Sequence, residues 1–205
     1  MSGDPVSDKL TAIIRLVERC EICSPYLPNP PRPVFSASSS ASILVAGQAP
    51  GRLAHETGIP FNDPSGDRLR DWMGIDRDTF YDVNRIALVP MAFCYPGTGT
   101  SGDLPPRKEC ADTWRQQILD AMPSISLTLL VGSYSVAWHL AHEKPDRGKR
   151  SLTEAVRDWR RYAPAVIPMP HPSPRNNLWL RRNPWFEEEV VPYMRKRVAE
   201  ILDDE

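Results

Sequence analysis

The chain has 205 residues, room for one ordinary domain with a real core and little more. Apolar residues make up 41% and charged residues 25%, the balance of a folded protein, and a formal net charge of −1 means that any nucleic-acid surface has to be a local basic patch. No apolar run approaches the roughly 20 residues of a membrane span, and the first ten residues lack the basic-then-apolar order of a secretory signal, so a cytoplasmic, non-membrane protein with one domain over 1–205 is expected.

Leu10, Ile13, Ile14, Leu16 and Val17 recur at helical spacing and predict a helix over 9–19. Residues 25–33 form a proline-rich stretch of polyproline II character, and 36–42 are small and polar, a loop. The run over 42–46 is apolar and stops at Gly47, which reads as a buried strand followed by a loop. A helix is predicted over 67–73, a second buried strand over 85–89, and an amphipathic helix over 109–122. A third strand over 125–131 is closed by Gly132 and followed by a helix over 133–141. Ser151 with Glu154 three residues on has the form of a capping box and opens a helix over 151–162. A fourth strand over 165–169 leads into Pro170-His171-Pro172, and a helix over 184–202 ends the chain. This order predicts an α/β sandwich with a short, mostly parallel four-stranded central sheet flanked by helices, its chemistry in loops beyond the carboxyl ends of the strands.

Two such loops stand out. Gly47-Gln48-Ala49-Pro50-Gly51, continuing to Gly58-Ile59-Pro60-Phe61, makes a tight turn that lets backbone approach a ligand and holds an aromatic that can offer a flat surface to a ring. An ordinary strand-to-loop turn with a core Phe fits that segment equally well. In His171-Pro172-Ser173-Pro174-Arg175-Asn176, prolines fix the backbone on both sides of Ser173, and a His in such a rigid turn can donate a hydrogen bond to developing negative charge; the plainer reading is a loop His bonded to backbone. All four cysteines of the chain fall into two pairs, Cys20 with Cys23 in C-x2-C spacing and Cys94 with Cys110 around a Gly/Pro-rich stretch. An even set with one tight pair favours metal over disulfide, and four thiolates suit either zinc or an iron–sulfur cluster.

Taken in order, these pieces resemble the uracil-DNA glycosylase superfamily, and the three-layer fold of that family is the architecture the resemblance implies. Gly47 to Gly51 resembles its first motif, Gly58 to Phe61 the stretch whose Phe stacks on uracil, and His171 to Pro174 its second motif. Cys20, Cys23, Cys94 and Cys110 resemble the ligands of the family-four branch, which carries a four-iron four-sulfur cluster (4Fe-4S), with zinc as the alternative. The resemblance implies DNA repair by base excision: a monomer that flips a damaged base, uracil first, out of DNA and hydrolyses its glycosidic bond. It makes His171 the donor to the departing base, Phe61 the stacking wall, and Gly47, Gln48, Ala49, Pro50, Gly51 and Asn62 the groups around the base. Ser173, Pro174, Arg175, Asn176 and Leu178 become the loop that holds phosphates and fills the gap in the duplex. Arg181 and Arg182 add charge nearby, and Arg147, Lys149 and Arg150 offer a second basic patch or a solvated surface.

The chain departs from that pattern in places. Ala49 stands where several branches have an Asp or Asn that positions water, and the acidic positions of family four match Ala54 and His55, with Glu56 next. Glu56 is therefore the expected catalytic carboxylate, with His55 and Asp63 in reserve. Pro90 stands where family four has its base-reading Asn, which leaves Asn62, Asn84 or the backbone near Met91 to read the base. Gln48 replaces the usual Glu. Two further readings follow from these departures: a glycosylase for another damaged base, and a non-catalytic DNA-damage-binding protein of the same fold. A zinc-stabilised nucleic-acid protein is a third.

Overall fold

The computed structural model describes residues 5–100, 102–141 and 151–203; Arg147, Lys149 and Arg150 lie outside them. Helix α1 (Pro5–Glu18) leads to strand β1 (Ile43–Ala46), then to helices α2 (Arg52–Thr57), α3 (Pro64–Met73) and α4 (Arg77–Tyr81) and strand β2 (Ile86–Leu88). A hairpin of β3 (Thr98–Gly99) and β4 (Gly102–Asp103) precedes α5 (Lys108–Cys110), a π-helical turn (Ala111–Arg115) and α6 (Gln116–Asp120). The chain continues through β5 (Leu127–Val131), α7 (Ser133–His139), α8 (Leu152–Arg157), β6 (Val166–Met169), α9 (Asn177–Arg182), a second π-helical turn (Phe186–Val190) and α10 (Val191–Asp203).

The central sheet has the order β2-β1-β5-β6, and every pair is parallel. Ile43 pairs with Ile86 on one side and with Leu127 on the other, so β1 lies in the interior of the sheet. A strand covered on both faces needs apolar side chains at every position, which is why Ile43-Leu44-Val45-Ala46 reads as an uninterrupted run. Ile43 and Val45 face a core built with Leu69, Trp72 and Met73 of α3, Phe186, and Met194 and Val198 of α10. Leu44 faces the opposite layer, against Leu10, Ile13 and Val17 of α1 and Ile118 of α6. Ala46 and Leu130 pack on Val136 of α7 on that side. The three-layer α/β sandwich expected from the sequence is the observed fold.

The expected strands are all present, each shorter by one or two residues, at the start alone except for β2, which is trimmed at both ends. The capping box is there too: the Ser151 side chain accepts from the Glu154 N–H and the Glu154 carboxylate accepts from the Ser151 N–H. The helix expected over 67–73 begins earlier, because Asp63 caps it and Pro64 occupies its first turn, where a missing N–H costs nothing. The helix expected over 109–122 is interrupted by the π-helical turn at Ala111–Arg115, where Arg115 turns inward and is 1% exposed.

Loops from the carboxyl ends of the strands gather at one edge of the sheet. The chain leaves β1 toward α2 and later enters β5 on the other side of β1, so the first loop opens at the point where the strand order reverses. Such a switch point leaves a crevice that neighbouring loops do not fill.

Candidate active site and cysteine centre

The crevice is a cavity of about 400 Å³. Its floor is the loop after β1. Gly47 O accepts from the Met91 N–H and Gln48 O from the Ala92 N–H, both at 3.0 Å, so this loop is tied to the segment after β2. Gln48 turns across Gly132: a Cβ there would stand 2.2 Å from the Gln48 amide nitrogen, and Gly132 also has a φ of +87°. Only glycine meets both demands.

Phe61 forms one wall. Its ring stands over Gly47, where a Cβ would be 3.1 Å from the Phe61 Cζ, and meets Phe80 edge to face at 6.1 Å. Among the described residues it is the only non-glycine with a positive φ, +54°, a conformation a bulky side chain adopts only when its surroundings enforce it. The enforcement is visible. The Tyr81 hydroxyl donates to Pro60 O at 2.8 Å, and Phe61 O sits so close to Gly66 that a Cβ there would lie 1.7 Å away.

His171 stands opposite, half-buried, at the end of the segment leaving β6. Its Nδ1 accepts the Ser173 N–H at 3.2 Å, and its carbonyl accepts the Asn176 side-chain N–H at 2.8 Å. A backbone N–H only donates, so Nδ1 carries the lone pair and the neutral ring carries its proton on Nε2. Burial pushes the His171 pKa below its ordinary value, and the Asp63 and Asp103 carboxylates pull it back up. The ring is thus a neutral Nε2–H donor held in a fixed orientation.

Two carboxylates line the same cavity. Asp63 is the N-cap of α3, its Oδ1 accepting the Gly66 N–H at 2.9 Å. Asp103 arrives on β4, its Oδ1 accepting from the Thr98 hydroxyl at 3.4 Å. Both Oδ2 atoms turn toward Gly51: a Cβ there would be 3.4 Å from that of Asp103 and 3.9 Å from that of Asp63.

The residues singled out from the sequence sort cleanly. Gly47 to Gly51, Phe61, His171, Ser173, Arg175 and Asn176 all line the cavity, as do Asp63 and Pro90. Pro174 is exposed in the short turn beyond Ser173, and Leu178 is 50% exposed on the first turn of α9. Glu56 does not line the cavity; it is exposed and pairs with Arg52 at 2.7 Å, one helical turn away on α2. His55 sits beside it with its ring against Tyr95. The Asn62 side chain accepts from Arg77 at 2.9 Å, outside the cavity, and Asn84 is engaged with Ser38 and Ser40. The Met91 N–H is spent on Gly47 O. Asp103 carried no sequence signal, since it falls in an irregular Gly/Pro-rich stretch. Asp63 carried one, an Asp directly before a helix-opening Pro.

The four cysteines line one small apolar pocket with Val17, Phe93 and Trp114. They come from the end of α1, the segment after β2 and α5. Burial pushes Cys110 up to about 12 and Cys94 up to about 11, and the neighbouring sulfurs push the same way. An apolar pocket of this kind favours the neutral thiols of Cys94 and Cys110. N–H donors also point at sulfur: Phe93 to Cys110 at 3.4 Å and the Trp114 indole to Cys20 at 3.3 Å. Among the described residues no three His, Cys, Asp or Glu side chains converge closely enough for a single metal ion.

Arg115 connects the two regions. It is one turn beyond Cys110, and its guanidinium donates to Val89 O and Pro90 O at 3.1 Å and to His139 Nε2. His139 is held neutral, its pKa pushed down to about 3 by burial and by the Arg115 charge. Among the described residues no helix is long and apolar enough to cross a membrane. The family model of the uracil DNA glycosylase superfamily matches residues 34–195 of this chain, a stretch that holds every cavity residue named above and the second cysteine pair.

Proposed function

The chain belongs to the uracil DNA glycosylase superfamily, a group of DNA glycosylases, and from that premise we propose that it hydrolyses the glycosidic bond of uracil in DNA and leaves an abasic site. The observation that carries the reading is the neutral His171 ring, held by the Ser173 N–H so that Nε2 carries its proton, in a cavity also lined by Phe61.

A base inside a duplex is out of reach, so the nucleotide is flipped into the cavity, where the ring stacks on Phe61 above Gly47. Cleavage leaves negative charge on the base. The His171 Nε2–H donates to that charge as it develops, and a neutral donor already aimed there needs no reorganisation in the transition state. The sugar becomes cationic at the same moment. Asp63, fixed by the helix it caps, faces that charge and the approaching water. It takes the role expected of Glu56, which is turned toward Arg52. Neither loop presents an amine nucleophile, so the product strand stays intact. Ser173, Arg175 and Asn176 at the cavity mouth hold the phosphates, and exposed Leu178 fills the gap left in the stack.

We further propose that Cys20, Cys23, Cys94 and Cys110 hold a four-iron four-sulfur cluster. Its part would be structural: it would tie the end of α1 to both ends of the segment between Cys94 and Cys110.

One observation favours a second reading, a glycosylase for a different damaged base. Pro90 lines the cavity without a side-chain amide, and Asn62 is turned away, so neither position supplies an amide to the pyrimidine edge. Base release from a panel of single-lesion duplexes separates the two: uracil released fastest supports the first, and uracil ignored while another lesion is released supports the second. A non-catalytic damage-binding protein of the same fold would bind such duplexes without releasing any base.

A further inference from the structure

Asp103 has no part in the mechanism above, yet it is built into the same cavity. Its hairpin is pinned by the Thr98–Asp103 pairing and by the Leu104 N–H to Gly97 O bond at 2.7 Å. Gly102 beside it packs directly against the Arg175 guanidinium, so the hairpin and the His171 loop meet across the mouth of the cavity. The segment that carries it is bracketed by Cys94 and Cys110. Asp103 Oδ1 is engaged with Thr98, and its Oδ2 turns toward Gly51, as does Oδ2 of Asp63.

We propose that Asp103 is a second catalytic carboxylate, the one that takes the proton of the attacking water, while Asp63 faces the sugar cation. The proposal rests on the glycosylase reading and divides its labour. Asp63 is half-buried and fixed by the backbone of α3, suited to holding one charge at one place. Asp103 is exposed at the rim, where a proton it accepts can leave to solvent. In the step, the C1′–N bond breaks and its electron pair departs on the base, which accepts the His171 hydrogen bond. The water oxygen forms the new bond to C1′. Its proton passes to Asp103 Oδ2 and on to solvent, and the base anion is protonated from solvent. A cluster on the four cysteines would anchor both ends of the segment that delivers this carboxylate.

Asp103→Asn keeps the oxygen that accepts from Thr98 and removes only the charge. Single-turnover base release, binding to abasic-site DNA, and the titration of His171 followed by NMR are compared with wild type. The expected result is release slowed by about 100-fold or more, with binding no weaker. Formate added to Asp103→Ala should restore part of the rate, which a merely structural role would not allow. The His171 titration should move to lower pH in Asp103→Asn, and this readout needs no activity. Release within about threefold of wild type, or an unmoved His171, overturns the proposal. Absence of release by wild type from every lesion overturns the glycosylase reading and this one together, whereas an active wild type with an equally active Asp103→Asn overturns this one alone.

Discussion

Replacing Gly66 by alanine puts the account of the Phe61 wall under direct strain. The added Cβ would stand 1.7 Å from Phe61 O, 2.7 Å from its carbonyl carbon and 3.0 Å from its Cβ. The obstacle is backbone, so no side-chain rotation relieves it. Either the first turn of α3 or the Phe61 peptide has to move by more than an ångström. Forcing one methyl into a packed site costs typically 1–3 kcal/mol, and the better helix propensity of alanine returns at most about 1 kcal/mol. A net loss of about 2 kcal/mol lowers the melting temperature by roughly 4–8 °C for a chain of this size. Gly51→Ala is the control, because its Cβ would meet Asp103 Oδ2 at 3.4 Å, an ordinary contact. Thermal melts of the two variants should therefore separate, and base release by Gly66→Ala should fall as the ring leaves its place. Gly66→Ala melting with wild type and releasing base at the wild-type rate would refute the packing of Phe61 on α3.

Phe61→Ala should cut base release by about 5- to 150-fold, because stacking of a base on an aromatic ring is worth about 1–3 kcal/mol; single-turnover kinetics measure it, and an unchanged rate would mean that the base does not stack there. Stability should fall as the pH drops from 6.5 toward 3, since the unfolded chain takes up a proton that His139, with a folded pKa of about 3, refuses, and His171 acts in the same direction. Between pH 7 and pH 5 this amounts to about 2 kcal/mol from His139, read by urea titration, and His139→Gln should remove that part. Metal analysis of protein purified without air should give iron with acid-labile sulfide. Cys110→Ser should lose both and melt at lower temperature, and zinc alone would contradict the cluster.

The fold was legible because interior strands have no polar face. The runs ending at Ala46, Leu88, Val131 and Met169 are apolar at nearly every position, and the Gly or Pro after or near each marks where it stops. Strand order was not legible, because the reversal at β1 depends on which helix covers which face. In the site, the residues legible from the sequence were those whose backbone is locally constrained: Gly47 to Gly51, Phe61 after Pro60, and His171 between prolines. Glu56 has the expected place along the chain, but one helical turn aims its carboxylate at Arg52 instead of the cavity. Asp103 depended on a hairpin of two-residue strands with no apolar pattern to betray it. The inward turn of Arg115 was hidden in an amphipathic pattern, since one buried cation looks like any other charge on a helix until the π-helical turn rotates it toward Val89 and Pro90.

The central claim is that a neutral, backbone-locked His171 drives the departure of a base held on Phe61. The most direct test is release of uracil from single- and double-stranded DNA by the wild type and by His171→Ala. Loss of one such donor raises the barrier by about 3 kcal/mol, so the account predicts release by wild type and a rate lower by about 100- to 1,000-fold in the variant, with DNA binding retained. Equal rates in the two proteins would contradict it.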